Sequence, residues 1–506
     1  MQNRRAFLAT SAAAALCAGS RAQPPGGDAA FDALLASLAG LPDRGAAQAR
    51  LDRLDAFDPA TLSPEARLDY RGIREGLALD AELAQRFPYG TPGPPASPYL
   101  VSPRSGLWLT ASDAKAHPDA IDAETAQLDA DAACGVVPPD FILDATLAKL
   151  AASRAAAPPA IVAALDRQIA ALGALRPKAS HQAGAWRLPD GDAYYALALK
   201  AGTSLDIDPE TAHRSALDQI AELSARADAL LKQQGLAAGS VGARLHALGQ
   251  DARYLYSDDD AGRARAVAEM NARLARVRTR LGEAFTGLSQ GAISVQIAGP
   301  GKIGYRVAPT YDGSKPGAYY VDLRDIGRRP SWSLPTVVHH ETLPGHLLQL
   351  PLEERAHPRP LRLRTTPNAF FEGWAIYAEQ LGVEMGLFAG EPLAEIGFLQ
   401  SVLVRAARLA IDTGIHFKRW TREQAIARFF DIAGDAPDTL ANEVDRIVVQ
   451  PGLTAGPALG RVTILGLREA ARARPGFTLA AFHDAVLKRG QMRLSLLKDA
   501  MNLPSP

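Results

Sequence analysis

Helix-start signals and apolar periodicity constrain the fold of this chain more than any other feature of its sequence. Ser63-Pro64 and Asp208-Pro209 each place a capping side chain before a proline suited to the first helical position. After the second pair, apolar residues recur at steps of three and four through residues 216–230, and Gly235 closes the segment. Residues 421–424 (TREQ) form a capping box ahead of another helix. The sequence therefore predicts a predominantly α-helical protein.

The pattern changes for a short distance near residue 291. The stretches AISVQIAG (292–299) and AYYVDL (318–323) are rich in β-formers, and turn residues separate them. They predict a small sheet between a helical N-terminal region, residues 23–290, and a helical C-terminal part. The proline- and glycine-rich residues 88–103 are expected to form a surface loop.

Charge and hydropathy exclude several classes of partner. The chain has 55 Lys and Arg against 55 Asp and Glu, so no basic surface argues for nucleic acid. No stretch after the first residues reaches the ~20 apolar residues of a membrane span. We expect a protein that does not contact the membrane once its signal is removed, and whose substrate is small.

The first 22 residues are typical of an export signal. Arg4 and Arg5 precede an apolar run and small residues suited to cleavage, a pattern similar to the twin-arginine signal. We therefore expect a periplasmic protein. A lipoprotein anchor at Cys17 is disfavoured by the bulky Leu16 before it. Cys134, the only other cysteine, has no disulfide partner in the mature chain and is interpreted as a buried small residue.

The stretch HHETLPGHLLQ (339–349) has the residue types of a zinc site at an unusual spacing. In the helical H-E-x-x-H pattern the second histidine lies four residues after the first, but Pro344 occupies that position. On an ideal helix His340 and His346 would be about 240° and about 9 Å apart. Pro344 and Gly345 disfavour helical geometry and permit a change of direction. A bend that returns His346 toward His340 is therefore predicted.

A hydrolytic zinc site needs three protein ligands around one point, an open position and a base. Glu341 follows His340 directly, as the general base does in H-E-x-x-H hydrolases. The best candidate for the third ligand lies in FFEGWAIYAE (370–379), where Glu372 begins a helix and Glu379 lies two turns later on the same face. One of these carboxylates can bind the metal while the other orients a ligand.

A second candidate pair lies further along the chain. Asp412 and His416 are four residues apart on one predicted helical face. A histidine oriented by a carboxylate can polarise a carbonyl or stabilise an oxyanion, so His416 is a candidate catalytic residue and Asp412 its orienting group. The alternative is a structural pair.

Two of these stretches resemble the marks of a bacterial family known as domain of unknown function 885. Residues 340–349 match H-E-x-x-P-G-H-x-x-Q, and residues 372–379 match E-G-W-A-x-Y-x-E. The similarity extends to YDGSKPGAYYV, RLAIDTGIHFKRWTREQAI and FHDAVLKRG, and touches GVVPPDFIL early in the chain. It covers most of the mature sequence.

The resemblance implies a large helical fold distantly related to gluzincin zinc peptidases, with a small sheet before the H-E-x-x-P-G-H helix. It implies His340, His346 and Glu372 as ligands of one Zn²⁺ ion and Glu341 as catalytic base. It also assigns residues 291–506 to the catalytic region, which we expect to pack with residues 23–290 as one unit.

One region departs from the family pattern. Where the family tends to read like R-Y-x-x-x-P-G-Q-A-x-x-Y-K-x-G, this chain has RIVVQPGLTAGPALG. The residues that differ are Ile447, Leu453, Pro457 and Ala458. In gluzincin-like sites a tyrosine commonly holds the oxyanion, and here His416 or Tyr377 is the candidate replacement.

The expected function is an exported zinc metallohydrolase that cleaves peptide or other amide bonds with metal-activated water. Tyr319 and Tyr320, in the AYYVDL strand, and Tyr377 are expected to contact the substrate, the strand by edge pairing with an extended peptide. Two alternatives stay open: a catalytically eroded binding protein, and a zinc hydrolase of non-peptide esters or lactams. The ligand set also suits other divalent metals. The sequence leaves open exo- or endo-action and the oligomeric state.

Overall fold

The computed structural model describes residues 27–41, 46–93, 95–110, 117–289 and 291–503. The predicted signal, residues 1–22, and Cys17 lie outside the described residues. Within them the fold is predominantly α-helical with one small sheet, as predicted. No described helix has the length and apolar character needed to cross a membrane.

Helices occupy most of the described chain on both sides of the sheet. Before the sheet they are α1 (Gly27–Ala39), α2 (Ala47–Asp55), α3 (Pro64–Arg86), α4 (Leu107–Thr110), α5 (Pro118–Ala133), α6 (Asp140–Arg154), α7 (Pro159–Leu175), α8 (Gly191–Thr203), α9 (Pro209–Gln233), α10 (Val241–Gly249) and α11 (Asp260–Arg280). After it they are α12 (Leu334–Glu341), α13 (His346–Ala356), α14 (Ala369–Glu384), α15 (Pro392–His416), α16 (Arg422–Ala433), α17 (Pro437–Val449), α18 (Gly456–Arg472), α19 (Leu479–Leu487) and α20 (Leu494–Ala500).

The predicted caps form. The Ser63 side chain accepts a hydrogen bond from the Ala66 amide at the start of α3, and Asp208 does the same at the start of α9. Thr421 and Gln424 form a reciprocal capping box at the start of α16. Each cap satisfies amide groups that the first helical turn leaves without partners.

The sheet contains three described strands, β1 (Ile293–Ile297), β2 (Tyr305–Val307) and β3 (Gly317–Val321), in the order β1-β3-β2. β3 pairs in parallel with β1 and antiparallel with β2. The side-chain amide of Asn271 on α11 bonds both the N–H and the carbonyl of Val295, which covers the outer edge of β1. The outer edge of β2 has no strand partner among the described residues.

The hydrophobic core does not divide at residue 290. One large cluster joins apolar residues of α9 to α11 with the sheet, α12 to α15 and α18 to α20, and a second joins α3, α8 and α9 with α15 to α18. α14 and α18 pack at a glycine contact, where a Cβ on Gly373 would lie 2.6 Å from the Cα of Gly460. This contact fixes α14 in the core.

Two sequence predictions about the N-terminal region are wrong. Residues 88–103 are irregular where described, but much of the segment is buried, including Tyr99 and Ser102. Its polar groups find local partners, as where Ser105 Oγ donates to the Tyr99 carbonyl. Cys134 is exposed rather than buried, because it lies at the C-terminal cap of α5.

Candidate metal centre

The chain bends between the two histidines of the HETLPGH stretch. α12 ends at Glu341 and α13 begins at His346, while Thr342 leaves helical geometry at φ −111° and ψ −103°. The turn is so tight that a Cβ on Gly345 would lie 2.0 Å from the His340 carbonyl oxygen, which only glycine permits. The predicted bend is therefore present, and it contains a cis Leu343–Pro344 peptide bond.

The bend brings three potential ligands together. The His340 and His346 rings have centroids 4.9 Å apart and are nearly perpendicular. His340 Nε2 lies 3.5 Å from one Glu372 oxygen, and His346 Nε2 lies 3.7 Å from the other. One ligand atom from each of the three residues lies within 4.8 Å of the other two. A metal ion can therefore be reached by all three residues with small side-chain movements.

An unsatisfied atom supports a ligand at this point. His346 is fully buried, yet its Nε2 has no hydrogen-bond partner among the described residues. Its other ring nitrogen, Nδ1, faces the Gln349 side-chain oxygen at 3.3 Å. Because that oxygen can only accept, Nδ1 carries the proton and the Nε2 lone pair points toward Glu372 and His340. A buried nitrogen lone pair without a donor fits a metal ion.

Neighbouring side chains orient the ligands, as metal-binding histidines require. His340 Nδ1 lies 2.8 Å from Glu379 Oε1, on the helix that also carries Glu372. The other Glu379 oxygen accepts a 2.5 Å hydrogen bond from Thr336, one turn before His340 on α12. The structure thus places Glu379 as the orienting carboxylate and leaves Glu372 facing both histidines.

The electrostatics of the cluster favour a cation. Burial opposes a charge on His340, but the nearby Glu372 and Glu379 carboxylates raise the pKa of His340 to about 9. Burial also opposes ionisation of Glu372, but His340 holds the pKa of that carboxyl well below its usual range. His346 behaves differently, since burial depresses its pKa strongly. One positive charge is thus favoured between two carboxylates, a role that a metal ion can also fill.

Glu341 lies at the edge of a cavity of about 320 Å³ that His340 and Glu379 also line. The Arg306 guanidinium, on β2, donates a 2.6 Å hydrogen bond to Glu341 Oε2. Arg306 also lies over the ring of Phe371, which stacks on His346 at 4.0 Å. The candidate base is therefore held beside the ligand cluster by a cation from the sheet.

The structure does not favour the catalytic role predicted for His416. The side chain is fully buried, its Nδ1 accepts a hydrogen bond from the Ala185 amide, and its Nε2 donates to the Ile447 carbonyl. Asp412 does not orient it. The Asp412 carboxylate instead accepts hydrogen bonds from Tyr195 and from the Gly452 amide. With both ring nitrogens bonded to backbone, His416 has no free donor for an oxyanion.

The predicted substrate contacts also need correction. β3 is the central strand of the sheet, so Tyr319 and Tyr320 have no free edge for a peptide. Tyr319 is buried close to Glu341, whose charge adds to burial in raising the tyrosine pKa, and Tyr320 stacks on Tyr305. Tyr377 is fully buried, bonded to His483 and Arg468, and cannot contact a substrate from there.

The four residues that depart from the family pattern lie on or near α17 and α18. Ile447 and Ala458 belong to the second hydrophobic cluster and are almost completely buried. None of the four lines the cavity beside Glu341. Their apolar side chains fill a helix interface.

The sequence did not indicate several residues around the centre. Thr336 and Gln349 follow helical spacing from His340 and His346, and that spacing was a usable signal. Arg306 gave no signal, since β2 has only three residues and pairs with residues 11 to 15 positions further along the chain. Arg405 bonds Ser401 in the cavity wall. It lies on α15, and only the last turn of that helix, with Asp412 and His416, carried a recognisable sequence pattern.

The comparisons with known proteins agree with this architecture. The family model described as "Bacterial protein of unknown function (DUF885)" matches residues 37–501. The structure is similar to that of "the putative lipoprotein from Colwellia psychrerythraea", with a TM-score of 0.75, 27% identity and coverage of 94% of this chain and 97% of that one. It is also similar in fold to "a putative lipoprotein of unknown function from Shewanella oneidensis", with a TM-score of 0.68, 17% identity and the same coverage. Among curated proteins, none matches.

Proposed function

The chain belongs to the DUF885 family of bacterial proteins, and we propose that it is an exported zinc-dependent metallohydrolase that cleaves peptide or other amide bonds. One observation carries this proposal. His340, His346 and Glu372 converge with a buried, unpartnered histidine nitrogen, and the carboxylate of Glu341 lies at the adjoining cavity. Two histidines, one glutamate and a neighbouring glutamate base are the groups that a hydrolytic zinc site requires.

Zinc held by His340, His346 and Glu372 would supply Lewis acidity toward a substrate carbonyl and lower the pKa of a water molecule to about 7. Glu379 keeps the His340 ring in place by its hydrogen bond to Nδ1. Gln349 fixes the proton of His346 on Nδ1, which leaves Nε2 free to bind. These contacts hold the donor set in one orientation before a metal or substrate arrives.

Glu341 is the proposed general base. It accepts a proton from the attacking water as the water oxygen bonds to the amide carbon, and returns that proton to the nitrogen as the carbon–nitrogen bond breaks. Arg306 positions the base by donating a hydrogen bond to Oε2 of Glu341. The other carboxylate oxygen, Oε1, does not take part in this hydrogen bond. The same guanidinium is a cation close to the reacting groups and is suited to a developing oxyanion.

The edge of β2 is the proposed peptide-binding strand, in place of β3. Its outer side has no strand partner among the described residues, and Val307 is 46% exposed. Arg306, in the middle of β2, reaches Glu341, so a peptide paired along this edge passes close to the base.

Export is part of the proposal. The twin-arginine-type pattern in residues 1–22 and the description of the Colwellia protein as a "putative lipoprotein" support delivery beyond the inner membrane. The periplasm is the proposed location.

The test is a comparison of metal content and cleavage in one preparation of the mature protein. We expect one zinc ion per chain, cleavage of members of a peptide library, and loss of cleavage with a chelator. Glu341→Gln is expected to lower kcat roughly 10²- to 10⁴-fold while zinc stays bound. Glu354→Gln, an exposed change on α13, is the matched control and keeps full activity.

The other outcomes separate the alternatives. Stoichiometric zinc without cleavage of any peptide favours a binding protein, in line with the apolar residues at positions 447, 453, 457 and 458. Hydrolysis of esters or lactams alone favours the non-peptide hydrolase. Failure to bind zinc, when zinc is supplied in excess, contradicts the proposal.

A further inference from the structure

The cavity beside Glu341 adjoins a larger one. The first has a volume of about 320 Å³ and the second about 410 Å³. Both are lined by Arg329, Ser333, Gln400 and Asp435. A ligand that reaches the metal centre therefore has a continuous wall along which to extend. Each volume falls within the ~300–1,000 Å³ typical of small-ligand pockets, which suits the end of a short peptide.

The acidic groups nearest the centre already have hydrogen-bond partners. Glu341 is bonded to Arg306 and Glu379 to His340. Asp435 is largely desolvated, and burial raises the pKa of its carboxyl, while Arg408 and Arg405 oppose this rise. In the larger cavity Asp322 is paired with Arg324.

Two guanidinium groups in the same wall form no ion pair with a described carboxylate. Arg329 is half-buried, lines both cavities and forms no ion pair with any described carboxylate. Arg405 lines the smaller cavity and donates hydrogen bonds to the backbone carbonyl and the hydroxyl of Ser401, while its charge also acts on the Glu379 and Asp435 carboxylates. A guanidinium group that lines a cavity and has no carboxylate ion-pair partner can bind an anion. Its planar, forked geometry matches that of a carboxylate.

We infer that Arg329, with Arg405 beside it, binds a carboxylate of the substrate. This inference rests on the proposed hydrolase function and narrows it to peptides that carry a free carboxylate near the bond that is cleaved. The α-carboxylate at a peptide C-terminus and an acidic side chain offer the same chemistry. The first makes the protein a carboxypeptidase, whereas the second makes it selective for acidic residues.

Arg405 also has a second task. The pKa of the Glu379 carboxyl is held down most strongly by His340, next by the charge of Arg405 itself, and then by a hydrogen bond from Ser401, which Arg405 bonds. A change at Arg405 therefore disturbs the metal centre as well as the cavity. Arg329 has no such contact, and for that reason it is the residue to test.

The experiment measures binding to zinc-loaded Glu341→Gln protein by calorimetry, so that turnover is not needed. Four versions of one short peptide are compared: C-terminal acid or amide, each with Glu or Gln at an internal position. We expect the version with the recognised carboxylate to bind roughly 10- to 100-fold more tightly than its neutral match. The source of the carboxylate follows from which pair differs.

Arg329→Gln, added to the same protein, is expected to abolish that difference while zinc content and unfolding midpoint stay the same. Arg329→Lys keeps the charge without the forked geometry and should retain part of it. Arg253→Gln, an exposed arginine outside both cavities, is the control and keeps the full difference.

Equal affinity for charged and neutral peptides, no binding by any of the four, or a difference that survives Arg329→Gln overturns the inference. These results are separate from the proposed function. If protein with Glu341 intact cleaves charged and neutral peptides equally well, the proposed hydrolase function stands and the carboxylate site does not. If that protein binds the charged peptide selectively but cleaves no peptide, the carboxylate site stands and the proposed hydrolase function does not.

Discussion

The region around His346 and the region around His416 differ in one decisive respect. Both histidines are fully buried, both lie on helices, and both have a carboxylate nearby in sequence or space. His346 keeps one ring nitrogen without a partner, whereas both nitrogens of His416 are bonded to backbone groups. A buried polar atom without a partner costs free energy, which a bound ligand offsets.

In this pair a complete set of hydrogen bonds marks the structural histidine, whereas an unpartnered ring nitrogen that faces other potential ligands marks the candidate binding one. The Asp412 carboxylate is also fully bonded. It accepts hydrogen bonds from Tyr195, Gly452 and Thr454 and has little remaining capacity to bind another ligand. Around Glu372, by contrast, the contacts to both histidines are 3.5 and 3.7 Å, too long for good hydrogen bonds. The following predictions test this contrast, in order of decreasing effect on the metal centre.

His346→Ala is expected to remove zinc binding and all zinc-dependent cleavage. Free zinc at 100 times its Kd should stabilise the wild-type protein against unfolding by about 2.7 kcal/mol, because it binds only the folded chain. The variant should show no zinc-dependent stabilisation in thermal or denaturant unfolding. His357→Ala, at an exposed position after α13, is the control and should respond like the wild type. Zinc stabilisation that persists in His346→Ala would show that the ligand assignment is wrong.

Glu379→Gln is expected to weaken zinc binding roughly 10- to 100-fold without abolishing it. The oxygen of the new glutamine side chain can still accept a hydrogen bond from His340 Nδ1, but the side chain carries no charge. Thr336 and His340 now each donate to one carboxylate oxygen, and the glutamine NH2 group cannot accept from either of them. A zinc titration with a competing chelator measures the change. Glu384→Gln, later on α14 and bonded to Arg468, is the matched control. An unchanged zinc affinity would make Glu379 a structural acid.

Sequence patterns indicated the candidate metal centre because its signals are local. His340, Glu341 and His346 lie within seven residues, and the bend follows from Pro344-Gly345 between them. The caps of α3, α9 and α16 were predictable for the same reason. A cap depends on side chains and amides two or three residues apart.

What the sequence missed depends on distant contacts. His416 looked catalytic because its partners, Ala185 and Ile447, lie 231 and 31 residues away and have no side-chain signature. β2 was too short to be predicted, so Arg306 was missed and β3 was taken for an edge strand. Three residues of strand propensity cannot compete with the turn signals around them.

His416→Leu is expected to leave zinc affinity and cleavage unchanged and to lower the free energy of unfolding. The substitution leaves the Ala185 amide and the Ile447 carbonyl buried without partners, at a cost of about 1–3 kcal/mol each. Denaturant unfolding and a zinc titration on the same samples measure both effects. His181→Leu, at an exposed position, should cost less. Lost cleavage in a folded, zinc-loaded His416→Leu protein would restore the catalytic interpretation.

The pH dependence of stability has a definite sign and involves no residue of the metal centre. Burial lowers the pKa of His416 to about 4, whereas in the unfolded chain a histidine has a pKa of about 6.5. Between these values the unfolded state binds the proton, so the contribution of His416 is complete above about 6.5 and is lost as the pH falls toward 4. Asp412 acts in the opposite direction, because burial raises its pKa to about 7 and its contribution is lost as the pH rises.

Comparing the wild type with His416→Leu isolates the histidine, because Asp412 and every other group are common to both. The free energy of unfolding of the wild type should fall faster on acidification from pH 6.5 to pH 4, by up to about 1.4 kcal/mol per pH unit. Denaturant unfolding at four or five pH values in this window measures the difference in slope. Parallel curves would mean that His416 takes up its proton in the folded protein, which is possible only if one of its two backbone hydrogen bonds opens. In that case His416 would share the incomplete bonding of His346, and the contrast between the two regions would fail.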